Sequence, residues 1–201
     1  MARVRRRRGS CGRYLLLVVA GLVLAVAGPL DAASFALTPG ERDEAIRAGR
    51  RSIVTEDFGA EWRVGGEELG QTLTVMTPFH RLALAARNSA FRNEELRQKD
   101  VDSLLKDREG KLVLWATFRG PRADFARFYV PALLRGQQAI KASFTQNERT
   151  ALREEDGRYM ARCMYVFPAG ELDRAGKVTL VVKGPDDKPV GRFTVDLSAM
   201  R

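Results

Sequence analysis

Apolar and polar positions follow three successive patterns along this 201-residue chain. Residues 14–27 form one uninterrupted apolar run. Apolar residues recur with the helical period between residues 78 and 109, and with a period of two from Lys111 onward. This order predicts an N-terminal apolar segment, then helices, then a part of the chain that is mostly β-strand.

The first helix start is encoded by the sequence TPGE at residues 38–41. Its threonine can accept hydrogen bonds from first-turn amides, its proline fits the first helical position, and its glutamate completes a capping box. The helix is predicted to continue to about Arg51. We interpret residues 33–70 as a helical arm packed on the main body, with Phe58 and Trp62 as its anchors.

The stretch 72–91 predicts a strand that turns directly into a helix. Residues 72–77 are rich in β-forming residues, and Pro78 both interrupts strand pairing and presets a helical φ. From Phe79 onward apolar residues, many of them alanines, recur at i, i+3, i+4 and i+7. We therefore expect this helix to approach its neighbour closely.

A second helix is predicted from Val101 to Arg108. Asp100 is positioned to cap its start, and Gly110 can end it in a left-handed conformation. Together the two helices make a predicted helical insertion over residues 78–109.

The strand-forming part begins with residues 112–118, which are apolar on both faces and therefore predict a central strand. In residues 138–146 the period of two places Ile140 and Phe144 on one face. The last two strand segments flank a turn rich in glycine, proline and aspartate, which predicts a hairpin. The remaining alternating segments are 158–167, 177–183 and 190–197.

These elements predict an α+β fold. We expect an antiparallel β-sandwich, immunoglobulin-like in general architecture only, with a helical insertion after the first strand and an N-terminal helical arm. The Cys, Trp, Cys spacing of true immunoglobulin domains is absent. The predicted organisation is a signal peptide at 1–32, the arm at 33–70, and an α+β domain at 71–201.

The N-terminal segment has the order of a secretory signal peptide. Six arginines precede the apolar run, and small residues follow it. The run holds 14 residues, counted from Tyr14 to Ala27, whereas a bilayer span takes roughly 20. We therefore expect export to the periplasm or beyond the cell, with membrane anchoring by an uncleaved segment as the alternative.

Removal of that segment changes the charge of the protein. The whole chain has a net charge of +9, and loss of residues 1–32, with six arginines and one aspartate, leaves +4. The basic total is thus mostly a targeting signal, and export disfavours nucleic acid as a partner.

Candidate chemistry centres on His80, the only histidine. As a general base or metal ligand it would need carboxylates brought in by folding. The interpretation we prefer is a structural or surface histidine. No GxSxG, SxxK or glycine-rich phosphate loop is present, so the sequence predicts neither a cofactor nor a metal site.

Cys163 is the one cysteine after residue 32, which excludes an intrachain disulfide in the exported part. It lies on the aromatic face of a predicted strand, between Ala161 and Tyr165. We therefore interpret it as a buried core thiol rather than a nucleophile.

Six arginines fall into two groups that favour an anionic partner, either an envelope protein or an anionic membrane surface. The function we prefer is an exported, non-catalytic binding or assembly module that recognises a protein or envelope component through its arm and strand edges. The alternative is a hydrolase or metal-dependent enzyme that uses His80 with carboxylates. The sequence leaves the oligomeric state open. The arginines of the candidate patch are Arg47, Arg50, Arg51, Arg119, Arg122 and Arg127.

Overall fold

The structure, a computed structural model, describes residues 35–66, 70–172 and 176–201. The predicted signal peptide, residues 1–32, lies outside the described residues. The described chain mixes helix with strand. Its helices are α1 (Pro39–Arg51), α2 (Pro78–Phe91) and α3 (Gln98–Asp107). Its strands are β1 (Arg63–Gly65), β2 (Thr72–Met76), β3 (Lys111–Gly120), β4 (Val130–Arg135), β5 (Gln138–Lys141), β6 (Phe144–Gln146), β7 (Leu152–Arg153), β8 (Tyr159–Pro168), β9 (Lys177–Lys183) and β10 (Pro189–Asp196).

The strands form two antiparallel sheets. A six-stranded sheet has the order β1-β2-β3-β8-β6, with β7 also paired to β8, and a four-stranded sheet has the order β10-β9-β4-β5. The central position predicted for residues 112–118 is confirmed, because β3 pairs with β2 on one side and β8 on the other. The predicted hairpin is confirmed as β9 and β10.

Side chains of both sheets belong to one buried cluster. The rings of Phe118 on β3 and Phe193 on β10 meet edge to face, with centroids 5.9 Å apart. Leu133 and Leu180, from neighbouring strands of the four-stranded sheet, are fully buried in the same cluster. Gly191 permits this approach, because a Cβ there would come within 2.6 Å of the Phe118 ring.

The predicted change from strand to helix at residues 77–78 is confirmed. Thr77 is the N-cap of α2, its side-chain oxygen accepts a hydrogen bond from the His80 amide at 3.0 Å, and Pro78 is the first helical residue. The capping box of α1 is also confirmed, since the Thr38 amide donates to the Glu41 carboxylate at 2.6 Å. Local sequence alone therefore sets both helix starts.

The predicted start of α3 is wrong. The helix begins at Gln98, three residues before the expected position, and Arg97 is its N-cap residue. Asp100 does not cap it, because the Asp100 carboxylate accepts a hydrogen bond from the Arg97 guanidinium at 2.8 Å inside the first turn. The carboxylate that was expected to cap the helix is thus bound by the guanidinium of Arg97 instead.

The single strand predicted over residues 138–146 is also wrong. The chain divides it between the two sheets, as β5 and β6. The break follows Lys141, where both the amide and the hydroxyl of Ser143 donate to the Val166 carbonyl, at 2.7 and 3.1 Å. As a result Ile140 is buried whereas Phe144, expected on the same face, is 47% exposed.

The position of the helical insertion needs one correction. It follows the second strand and not the first, because residues 63–65 form β1, which the sequence did not predict. β1 pairs with β2, so the segment interpreted as an arm contributes a strand to the six-stranded sheet. Of the helices within the described ranges, none is long and apolar enough to cross a membrane.

Candidate functional site

His80 is enclosed by aromatic rings. It is 4% exposed, and its imidazole stacks on the Trp62 indole with centroids 4.2 Å apart and planes 7° from parallel. Phe58 contacts it edge to face at 6.0 Å, and its Nδ1–H donates to the Val75 carbonyl at 3.0 Å. One ring nitrogen is thus committed to the backbone of β2.

Burial lowers the pKa of His80 below its ordinary 6.5, and the hydrogen bond to Val75 and the charge of Glu61 oppose that shift. The imidazole is therefore held in its neutral form. Within the three described ranges, no group of three or more His, Cys, Asp or Glu residues could hold a metal ion. His80 is therefore a packing residue that joins α2 to β2 and to the segment before β1.

Trp62 holds that arrangement together, and no local sequence pattern connects it with His80. Its indole Nε1–H donates to the Arg201 main-chain oxygen at 3.0 Å, and the same oxygen accepts from the Thr77 hydroxyl. The Arg201 guanidinium lies over the Phe79 ring at 4.9 Å and pairs with Glu61 at 3.1 Å. This cluster is a structural junction between distant parts of the chain.

Cys163 is fully buried and forms no disulfide with a described residue, as the sequence predicts for a core thiol. Burial raises its pKa, which opposes formation of the thiolate that a nucleophile requires. Burial likewise raises the pKa of Tyr165, whose hydroxyl donates to the Asn147 side chain at 3.2 Å. Both groups belong to the packed interior.

The six arginines of the predicted patch have different surroundings. Arg47, Arg50 and Arg51 are exposed on α1. Arg119 forms a two-pronged salt bridge with Glu154, at 2.7 and 3.0 Å, so its charge is matched locally.

The other two arginines are exposed. Arg122 lies 3.6 Å from Asp124, and Arg127 lies over the Phe128 ring at 5.4 Å. In the second group, Arg119 and Arg122 thus have carboxylate partners, and Arg127 has an aromatic one.

A different surface combines apolar and cationic groups: the face of the six-stranded sheet that points away from the shared core. Strand register aligns three rows of side chains across this face, because directly paired residues point to the same side. The first row is Arg63, Thr74, Trp115 and Met164, the second is Thr72, Thr117 and Arg162, and the third is Arg119 and Met160.

The rows form the floor of an open groove of about 650 Å³, and Leu84 of α2 forms part of its wall. Val113, Met164 and Val166 are buried on this face, with Met76 and Trp115 packed against them. The groove therefore has a firm apolar floor. It is lined by Arg63, Thr72, Thr74, Met76, Leu84, Trp115, Thr117, Arg119, Met160 and Arg162.

The charge of the groove is positive. Among the residues that the structure describes, no carboxylate forms an ion pair with the guanidinium of Arg63 or Arg162, and none lines the groove. The Glu148 carboxylate instead accepts a hydrogen bond from the Arg162 backbone amide at 2.7 Å. Arg119 is the only lining arginine with an ion-pair partner in those ranges. Two guanidinium groups without an ion-pair partner in the described ranges thus lie on either side of Trp115.

Sequence reasoning missed this groove, although part of its signal was present. The alternation in β2, β3 and β8 places Trp115 and Arg162 opposite the core-facing residues, which identifies the strands' second face. What the alternation leaves open is which strands are neighbours. Arg63 and Arg162 are 99 positions apart, and only the order β1-β2-β3-β8 brings them to one face.

Comparisons with known proteins identify no family. No protein-family model matches the chain, and no curated protein matches it. A solved structure of a protein of unknown function from Burkholderia pseudomallei is similar with a TM-score of 0.43 at 10% identity, over 81% of this chain and 91% of that chain. The IgNAR antibody domain C3 gives a TM-score of 0.33 at 14% identity, over 66% of this chain and 98% of that domain.

Proposed function

We propose that this protein is an exported, non-catalytic binding or assembly module that acts on a protein or another envelope component outside the cytoplasmic membrane. The observation that carries the proposal is the groove on the six-stranded sheet, where Trp115 lies between the guanidinium groups of Arg63 and Arg162, and where Met76 and Met160 add apolar lining. Binding sites combine apolar contact area with a few polar groups that give specificity in this way.

The non-catalytic part rests on His80. Its ring stacks on Trp62 and its Nδ1 is occupied by the Val75 carbonyl, so the geometry gives no support to the alternative of a hydrolase or metal-dependent enzyme. A general base must reach a substrate proton, and a 4% exposed imidazole offers little access.

The proposed export rests on residues 1–32, which have the charged, apolar and small-residue regions of a signal peptide. Periplasmic or secreted localisation follows from that reading, and an uncleaved anchor is the rival. N-terminal sequencing of the protein recovered outside the cytoplasm distinguishes them: we expect a start near Ala33 or Ser34, and a start at Met1 would contradict cleavage.

We further propose that the two antiparallel sheets form a sandwich, immunoglobulin-like in general architecture only. In support, the buried cluster takes side chains from both sheets, including Phe118 and Phe193 in direct ring contact. This arrangement leaves the opposite face of the six-stranded sheet available for a partner.

Site-specific photocrosslinking in cells tests the proposed function. A photoreactive amino acid replaces Thr74 in the groove, and in a matched control it replaces Thr194, which is exposed on β10. We expect a discrete protein adduct from position 74 and none from position 194. Equal adducts from both positions, or none from position 74, would remove the support for a binding face.

A further inference from the structure

We infer that the groove binds an extended, acidic segment of a partner protein, with two carboxylate side chains four residues apart and an apolar side chain midway between them. This inference rests on the proposed function, since it names the partner chemistry of the same face.

The spacing of the cations sets the spacing of the acids. Arg63 on β1 and Arg162 on β8 are separated by three strand intervals and by two residues of register. With strands about 4.8 Å apart and a rise of about 3.4 Å per residue, their Cα atoms lie about 16 Å apart. Residues i and i+4 of an extended chain lie about 14 Å apart on the same side, and the long arginine side chains cover the difference.

The chemistry between the cations suits a peptide. Trp115 lies near the midpoint, partly exposed, and offers a ring against which the apolar residue i+2 can pack. The hydroxyls of Thr72, Thr74 and Thr117 surround that midpoint and can bond to peptide groups of an extended backbone. The charge pairs at the two ends then set the orientation of the peptide, and its contact with Trp115 and the threonines contributes affinity.

The shape of the floor disfavours a lipid. An amphiphile needs cations at one end of a deep apolar cavity, whereas here cations stand at both ends of a shallow one. Met76 and Trp115 of the lining pack on the buried side chains of Val113, Met164 and Val166, so the space beneath them is filled and offers no room for an acyl chain.

The test uses the exported protein and a synthetic peptide of sequence Thr-Glu-Thr-Phe-Thr-Glu-Thr, blocked at both ends. Trp115 reports binding by fluorescence, since the other tryptophan, Trp62, is 1% exposed. We expect saturable binding that weakens about tenfold or more when both glutamates of the peptide become glutamine, because each lost charge pair removes attraction at one end.

Matched variants place the peptide on the groove. Arg63→Gln and Arg162→Gln are each expected to weaken binding about tenfold, and Arg149→Gln, an exposed arginine outside the groove lining, is expected to leave it unchanged. Circular dichroism and thermal melting of each variant show that its fold is retained.

The inference falls if the glutamine peptide binds as well as the glutamate peptide, or if Arg63→Gln and Arg162→Gln bind it like the unsubstituted protein. It also falls if binding of anionic phosphatidylglycerol vesicles or of inorganic phosphate requires these two arginines and binding of the peptide does not. Crosslinking from position 74 without binding of the acidic peptide would overturn this inference and leave the proposed function standing. Loss of the crosslink as well would overturn both.

Discussion

At the scale of single residues, His80 acts as a packing group. A neutral imidazole stacked at 4.2 Å on Trp62 fills an aromatic cluster, and the hydrogen bond from its Nδ1 ties α2 to the Val75 carbonyl of β2. The sequence places this histidine correctly at the start of a helix. It gives no sign that Trp62, 18 positions earlier, would cover it, because contacts between distant positions depend on how the chain folds back.

This environment makes stability depend on pH. Burial lowers the native pKa of His80 below 6.5, so between that lowered value and 6.5 the unfolded chain binds more protons than the folded one. The contribution of His80 to the free energy of unfolding is therefore fully present above about pH 7. It declines as the pH falls through 6.5 toward the native pKa. Urea denaturation between about pH 7.5 and 5.5 measures this decline.

His80→Phe keeps an aromatic ring on Trp62 and removes the titration. We expect it to lose about 1 kcal/mol at pH 7.5 with the bond to Val75, and to show a flatter pH dependence than the unsubstituted protein. Because His80 is the only histidine, no other imidazole contributes in this window. If the free energy of unfolding had the same pH dependence in both proteins, its decline could not be attributed to His80.

At the scale of elements, the contact between α1 and α2 depends on a single glycine. Gly49 of α1 lies against the backbone of α2, where an added Cβ would overlap the Ala83 carbonyl and come within 2.9 Å of the Ala86 side chain. The alanines of α2 let the two helices approach, as the sequence predicts for that helix. Its close neighbour is α1. The periodicity of apolar residues in the sequence does not determine which element packs against which.

Gly49→Ala and Gly40→Ala form a matched pair within α1. Gly49→Ala is expected to destabilise the protein by about 1–3 kcal/mol, because a rigid backbone atom must move. Gly40 has no atom within 4 Å of an added Cβ, so Gly40→Ala is expected to be neutral or to stabilise by up to about 1 kcal/mol through helix propensity. Thermal melting of both variants checks this, and equal effects would argue against close helix contact.

At the scale of the whole molecule, one buried cluster joins the two sheets, so they are expected to unfold together. Leu180→Ala removes a fully buried side chain from the four-stranded sheet and should cost about 2–5 kcal/mol. The two tryptophans report on the other sheet and its flank, since Trp115 lies on β3 and Trp62 immediately before β1. In urea, Leu180→Ala should lower the midpoint measured by tryptophan fluorescence by the same amount as the midpoint measured by circular dichroism.

Val54→Ala is the control at this scale, because Val54 is 90% exposed and its change should stay within about 0.5 kcal/mol. A fluorescence midpoint that Leu180→Ala leaves in place would mean that the sheets unfold independently. That result would also count against the proposed sandwich.

The sequence by itself determined the features that depend on neighbours in the chain. These include the capping box at Thr38, the change from strand to helix at Thr77, the apolar faces of β3 and β8, and the hairpin of β9 and β10. Each rests on hydrogen bonding or periodicity within a few residues, so a local pattern is sufficient to predict it.

Tertiary structure alone decided which patterns meet. It divided residues 138–146 between two sheets through the bonds of Ser143 to Val166, placed Trp62 on His80, and paired Arg119 with Glu154. It also brought Arg63 and Arg162 to the two sides of Trp115. These contacts join positions far apart in the chain, where the order of strands and not the local period determines which side chains become neighbours.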